Sequence, residues 1–144
     1  MLKIVREAAP TIGLQIQVLK ATTIGEINAA FAALERHRPD ALFVAGDAFF
    51  ASRAVQFVTL AARDRIPVSY FLREYVAAGG LTSYAADFTD SFRHTGTILK
   101  GAKPADLPVL QSTRFEFVIN LQAARSLGIE VPPGLLSIAD EVIE

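Results

Sequence analysis

Ten residues, Ala41-Leu42-Phe43-Val44-Ala45-Gly46-Asp47-Ala48-Phe49-Phe50, constrain the fold more than any other stretch of this chain. An unbroken apolar run stops at a glycine, and a carboxylate and two aromatic rings follow it. A helical pattern opens at Ser52. An apolar run without alternation predicts a strand buried on both faces, as in a parallel sheet with helices on each side. In such sheets the loops leaving the carboxyl ends of the strands line the crevice where small molecules bind. The expected architecture is therefore an α/β sheet of three layers, parallel, with this strand at its centre.

The flanking sequence repeats the same alternation. Residues 2–9 read as a short helix closed near Pro10 and Gly13, and Leu14 to Leu19 alternates apolar and polar residues as a strand does. Thr23-Ile24-Gly25-Glu26 matches a capping box, after which Ile24, Ile27, Phe31 and Leu34 follow at helical spacing. Beyond the central strand come a helix from Ser52 to Arg63 and a strand over Ile66 to Phe71. A short helix from Leu72 to Ala78 is stopped by Gly79-Gly80, and Leu81 to Ala85 reads as a further strand. Three strand–helix alternations at this spacing predict right-handed crossovers. Asp87 to Gly101 reads as one amphipathic helix with Phe88, Phe92 and Leu99 along one side. A loop to Pro108, a strand over Phe115 to Ile119, a helix over Leu121 to Leu127 and a tail complete the chain.

With 144 residues the chain predicts one domain, 1–144. A net charge of −1 offers no footprint for nucleic acid. No apolar run reaches the ~18 residues of a membrane span, since Asp47, Arg53 and Arg63 interrupt the best candidate. The opening residues Met1 to Glu7 are too short and too charged for a secretory signal, which predicts a chain without an export address. The absence of cysteine excludes thiolate chemistry and disulfides. A hydrophobic content of 51% is high for a small monomer and points to a buried partner surface.

His37 and His94 lack neighbours at metal-ligand spacing, so neither a metal nor a cofactor is expected. Ser83 has no flanking glycines of a nucleophile elbow. Gly79-Gly80 has neither the following Lys-Ser/Thr of a P-loop nor the third glycine of a dinucleotide turn. Three strand exits carry polar or aromatic groups instead. Asp47, Phe49 and Phe50 leave the first; Arg73 and Glu74 leave the second; Ser83, Tyr84 and Asp87 leave the third. Each has a plain structural reading beside the functional one: a turn with two core phenylalanines, or a solvated ion pair on a short helix. Together they fit a pocket for a solute with an amino group, an apolar body and a carboxylate for Arg73. No nucleophile–base pair is among them, so binding is expected and catalysis is not.

The series Asp47-Ala48-Phe49-Phe50, Ile66-Pro67, Phe71-Leu72-Arg73-Glu74-Tyr75-Val76-Ala77-Ala78-Gly79-Gly80-Leu81-Thr82-Ser83-Tyr84 resembles the ABC transporter substrate-binding protein family. The resemblance is to its tryptophan/tyrosine-type members, with a type I periplasmic-binding-protein fold. Ile98 to Pro108, Phe115 to Leu121 and Ala139 to Ile143 extend it over nearly the whole chain. It implies two lobes closing on a small ligand, a membrane permease as partner and a periplasmic or extracellular-facing location. The match is to the carboxyl-terminal portion, so half of the cleft is expected to be missing. The segment 87–108, a crossover on the other lobe in related folds, would then pack on a second copy of the chain through Phe88, Phe92 and Leu99. The rival reading is a truncated paralogue acting as a dimeric interaction domain without a solute; a small flavodoxin-like hydrolase ranks third.

Overall fold

The computed structural model describes residues 6–86 and 114–144. Asp87 and the Phe88, Phe92 and Leu99 face lie outside the described residues. The chain forms two compact units, Met1–Arg36 and His37–Glu144.

In the first unit a helical turn runs into a 3-10 segment, Ala9–Ile12, closed by Gly13 in the left-handed conformation at φ 74°. Helix α1 spans Ile24–His37 and buries Ile27, Phe31 and Leu34 along one stripe. The capping box forms: the Glu26 amide donates to Thr23 Oγ1 at 3.2 Å. The Glu26 carboxylate reaches one residue further back than the motif requires, accepting from the Thr22 amide at 2.6 Å and its hydroxyl at 2.8 Å. These bonds favour the ionised form and hold the Glu26 carboxyl below its ordinary range, the Thr22 amide contributing most.

Leu14 to Leu19 is a correction to the sequence reading. The stretch has no regular structure, and Leu14, Ile16 and Leu19 are exposed. Alternation marks a surface with two faces, but a strand also needs a partner for its backbone groups, and among the described residues none pairs with this one.

In the second unit five strands form one mostly parallel sheet: β1 Leu42–Val44, β2 Val68–Tyr70, β3 Thr82–Ala86, β4 Phe115–Asn120 and β5 Glu141–Ile143, neighbours in that order. β1, β2 and β3 are parallel, β4 is antiparallel to β3, and β5 is parallel to β4. Two further expectations change here. Among the described residues β1 stands at the edge of the sheet instead of its centre, and Phe43 is 59% exposed. The β3–β4 pair breaks the all-parallel pattern, because hydrophobic period specifies a strand without specifying its direction.

The helices follow from local chemistry. Asp47 Oδ1 accepts from the amides of Phe49 and Phe50 at 2.8 and 3.3 Å and starts α2, Ala48–Ala51. Helix α3, Ala54–Asp64, turns Phe57, Val58, Leu60 and Ala61 inward. Val55, on the opposite side of this helix, is 69% exposed. Helix α4, Arg73–Ala77, ends at Gly79 and Gly80, the stop expected from the sequence. Helix α5, Leu121–Leu127, is capped by Asn120. Helix α6 spans Pro133–Ile138 in a region read as a tail.

The core lies beneath α4, which packs on β2, β3 and β4, while α3 lies against α4 and α5. One register row crosses the whole sheet: Val44, Tyr70, Ser83, Val118 and Glu141. Its first four members are buried. Tyr70 stacks on Tyr75 of α4 with ring centroids 4.6 Å apart. Asn120, also buried, accepts from the Ala123 amide and donates to the Val76 carbonyl, joining the end of α4 to the start of α5.

Burial pushes the Tyr70 phenol up, with Tyr75 adding to the effect. The Tyr75 phenol is pushed up to about 12 by burial and by the carboxylates of Asp47 and Glu74. The fold thus favours the neutral phenols. Below the ordinary tyrosine value of 10.0 both folded and unfolded chains keep the proton and stability is intact. Above it the unfolded chain ionises first, so stability falls as pH rises towards the folded values. A pH titration followed by tyrosinate absorbance and circular dichroism should show tyrosinate formation coupled to loss of structure. Full ionisation of all three tyrosines with the fold intact would contradict this packing.

Candidate functional site at the carboxyl edge

β1 and β2 end at Val44 and Tyr70, which face each other in the ladder, and β3 ends at Ala86 opposite Phe115, the first residue of β4. The exits of β1, β2 and β3 therefore share one edge. Antiparallel β4 also starts there. The loops and helices leaving that edge carry Asp47, Phe49, Phe50, Arg73 and Glu74, and Tyr84 lies on β3 near its end.

The turn after β1 is tightly made. A Cβ on Gly46 would lie 2.7 Å from the Phe71 ring, so only glycine lets the chain pass this side chain undisturbed. The Asp47 carboxylate is engaged as the cap of α2. Phe49 and Phe50 pack at 6.1 Å between centroids, and the Arg53 guanidinium lies 5.9 Å above the Phe49 ring. From Phe50 a train of rings runs inward through Phe57 at 5.1 Å and Tyr75 at 6.3 Å, reaching Tyr70. This train couples the β1 exit to α4, which carries Arg73 and Glu74.

Arg73, the first residue of α4, donates from Nη2 to Oε2 of Glu141 at 2.5 Å. The side chains keep 50% and 39% of their surface exposed. β5 is held in place for this contact by the preceding turn. The Asp140 amide donates to the Phe117 carbonyl, and the Phe117 amide donates to Asp140 Oδ2, both at 2.8 Å.

At the β3 exit the pleat separates two predicted residues. Ser83 is buried on the face covered by helices, and Tyr84 points to the opposite face. Tyr84 stacks on Phe115 with centroids 5.3 Å apart and planes 4° from parallel, and Phe117 meets Tyr84 edge-on at 6.2 Å. Tyr84 and Phe115 remain 55% and 49% exposed. The sequence reading missed Phe115 and Glu141. Both reach the site through strand pairings distant in sequence, and only the direction of β4 could have signalled them.

Chemically the rim offers aromatic surface, a guanidinium–carboxylate pair and a helix-capping aspartate. Among the described residues no group of three or more His, Cys, Asp or Glu is placed to hold a metal. Among them, too, no helix is long and apolar enough to cross a membrane.

Comparison with known proteins supplies the family. No curated protein matches the sequence. Several solved structures share the fold, among them the following three. An ABC domain from Streptococcus pneumonia in complex with L-Trp is 29% identical, with a TM-score of 0.82, covering 99% of this chain and 49% of that one. A conserved domain protein from Vibrio cholerae O1 biovar El Tor is 23% identical, with a TM-score of 0.80, covering 98% and 49%. The ligand-free, open structure of a substrate binding protein with adhesive properties from Clostridium difficile is 23% identical, with a TM-score of 0.69, covering 99% and 48%. The chain thus spans about half the length of these relatives. A family model described as ABC transporter substrate binding protein, a class of binders and not of enzymes, matches residues 1–143, and the chain belongs to that family.

Proposed function

We propose that this chain supplies one lobe of a solute-binding protein and grips a small organic molecule, an aromatic amino acid, at the carboxyl edge of its sheet. The observation that carries the reading is the exposed Tyr84–Phe115 stack on the strands whose edge the loops carrying Asp47, Phe49 and Arg73 also leave. Parallel rings half open to solvent are a ready surface for a third ring, and the guanidinium is suited to a carboxylate. The relative that binds L-Trp supports this class of ligand. In this reading the solute is held between this lobe and a second one that closes by a hinge, and an ABC permease facing the outside of the cell receives it. Asp47 contributes by fixing the turn that presents Phe49, and Glu74 and Ser83 by setting α4 and the core behind the rim.

Calorimetry with L-tryptophan tests the proposal. At 100 times its dissociation constant the ligand should add about 2.7 kcal/mol to folding stability. Tyr84→Ala should weaken binding by roughly two- to thirteenfold, the worth of one aromatic contact of about 0.5–1.5 kcal/mol, with the fold retained because the ring is exposed. Equal affinity in Tyr84→Ala and wild type would remove this edge from consideration.

A further inference from the structure

The end of the sheet away from the carboxyl edge holds a cavity of about 110 Å³. It lies where β2 and β3 begin, between the sheet and helices α3 and α5. Val58, Ile66, Val68 and Leu127 give it aliphatic walls, and the Tyr70 ring gives it an aromatic one. Where α3 and α5 border it they contribute Ala61, Ala62 and Ala123, whose methyl groups leave the space open. Among the described residues no charged side chain lines it. Its polar groups are already engaged. The Gly79 and Gly80 amides donate to the Val76 and Tyr75 carbonyls at 3.0 and 2.8 Å, and the Leu81 carbonyl accepts from the Asn120 amide at 2.9 Å. The Ser126 hydroxyl donates to the Gln122 carbonyl at 2.9 Å.

We infer that this cavity is a second binding site, which takes one uncharged aromatic ring of about the size of benzene. A buried water needs about two to four polar partners, and walls whose polar groups are spoken for have few to give. A dry cavity of about 150 Å³ with aliphatic walls takes up benzene, and the smaller space here fits one ring and not a fused pair. The Tyr70 wall favours a ring over an alkane of equal bulk, since two rings gain an offset or edge-on contact beyond the area they bury. Tyr70 is held in place for that contact by its stack on Tyr75. A free amino acid is excluded, because its charged groups would enter a space with no counter-charge. The site therefore differs from the solute edge in chemistry as well as in position.

Amide NMR titrations of the full chain with benzene and with L-phenylalanine test this. Benzene should give saturable shifts at Ala61, Gly79, Ala123 and Leu127, and L-phenylalanine should leave these amides unmoved. Ala62→Leu places a larger side chain at the cavity from an exposed position of α3 and should weaken benzene binding at least about tenfold. Ala123→Leu fills the space from α5 and should do the same, with circular dichroism melts checking the fold of both variants. Benzene shifts confined to Tyr84 and Phe115, no shifts up to the solubility limit of benzene, or undiminished affinity in either folded variant would overturn the cavity site. So would cavity shifts from L-phenylalanine equal to those from benzene. The response of the carboxyl edge to L-phenylalanine is read in the same spectra, so a failure of the solute reading stays separate from a failure of this one.

Discussion

Replacing Tyr70 by alanine is expected to lower folding stability by about 3–5 kcal/mol, the range for deleting a fully buried aromatic side chain. Tyr70 is 1% exposed and lies between Val44 and Ser83 in the register row beneath α4. Its ring stacks on Tyr75 at 4.6 Å with planes 13° apart, so the substitution also forfeits a ring pair worth about 0.5–1.5 kcal/mol. Tyr75 in turn touches Phe57, and the cavity would open at the joint between α3, α4 and the sheet. Chemical denaturation should show the full loss in the midpoint. Tyr70→Phe keeps the ring and should retain most of the stability. A loss below about 1 kcal/mol in Tyr70→Ala would mean that Tyr70 is not at the centre of the core.

Gly80→Ala is expected to destabilise by about 1–3 kcal/mol, although alanine is usually the more favourable residue. A Cβ at this position would lie 2.7 Å from Tyr70 Cε2 and 2.7 Å from the Tyr75 carbonyl oxygen. The ring is locked in its stack, and the carbonyl accepts from the Gly80 amide at 2.8 Å, so neither neighbour moves freely. Gly25, in α1, provides the contrast, because a Cβ there meets nothing within 4 Å. Gly25→Ala should be neutral or stabilising by up to about 1 kcal/mol. Equal behaviour of the two alanine variants in thermal melts would argue against the close approach of β3 to the tyrosine pair.

These core contacts show why some of the fold could be read from the sequence and some could not. The Thr23–Glu26 cap, the Gly79-Gly80 stop and the Asn120 start of α5 depend on residues within four positions of each other, and their chemistry is local. β2 and β3 announce themselves by composition and by the turns around them. Leu14 to Leu19 has the period of a strand but no partner among the described residues. β1 was expected at the centre because Ala41 to Ala45 is apolar throughout, yet Phe43 faces solvent at the sheet edge. The direction of β4 and the existence of β5 come from pairings that no period encodes.

The site divides in the same way. The sequence marks the strand ends after which Asp47, Phe49, Phe50 and Arg73 follow, and the strand that carries Tyr84. It does not mark their engagements. Asp47 caps its own helix, Arg73 meets Glu141 from the far end of the chain, and Tyr84 finds Phe115 across an antiparallel pair.

The most direct test of the binding edge is a backbone amide NMR titration of the chain with an aromatic amino acid. Saturable shifts should concentrate at Gly46 to Phe50, Arg73 to Tyr75, Tyr84 and Phe115, with Leu127 and Gly128 at the far end of α5 unmoved. Shifts centred on α5 and the amino-terminal ends of β2 and β3, or none at saturating ligand, would contradict a solute site at the carboxyl edge.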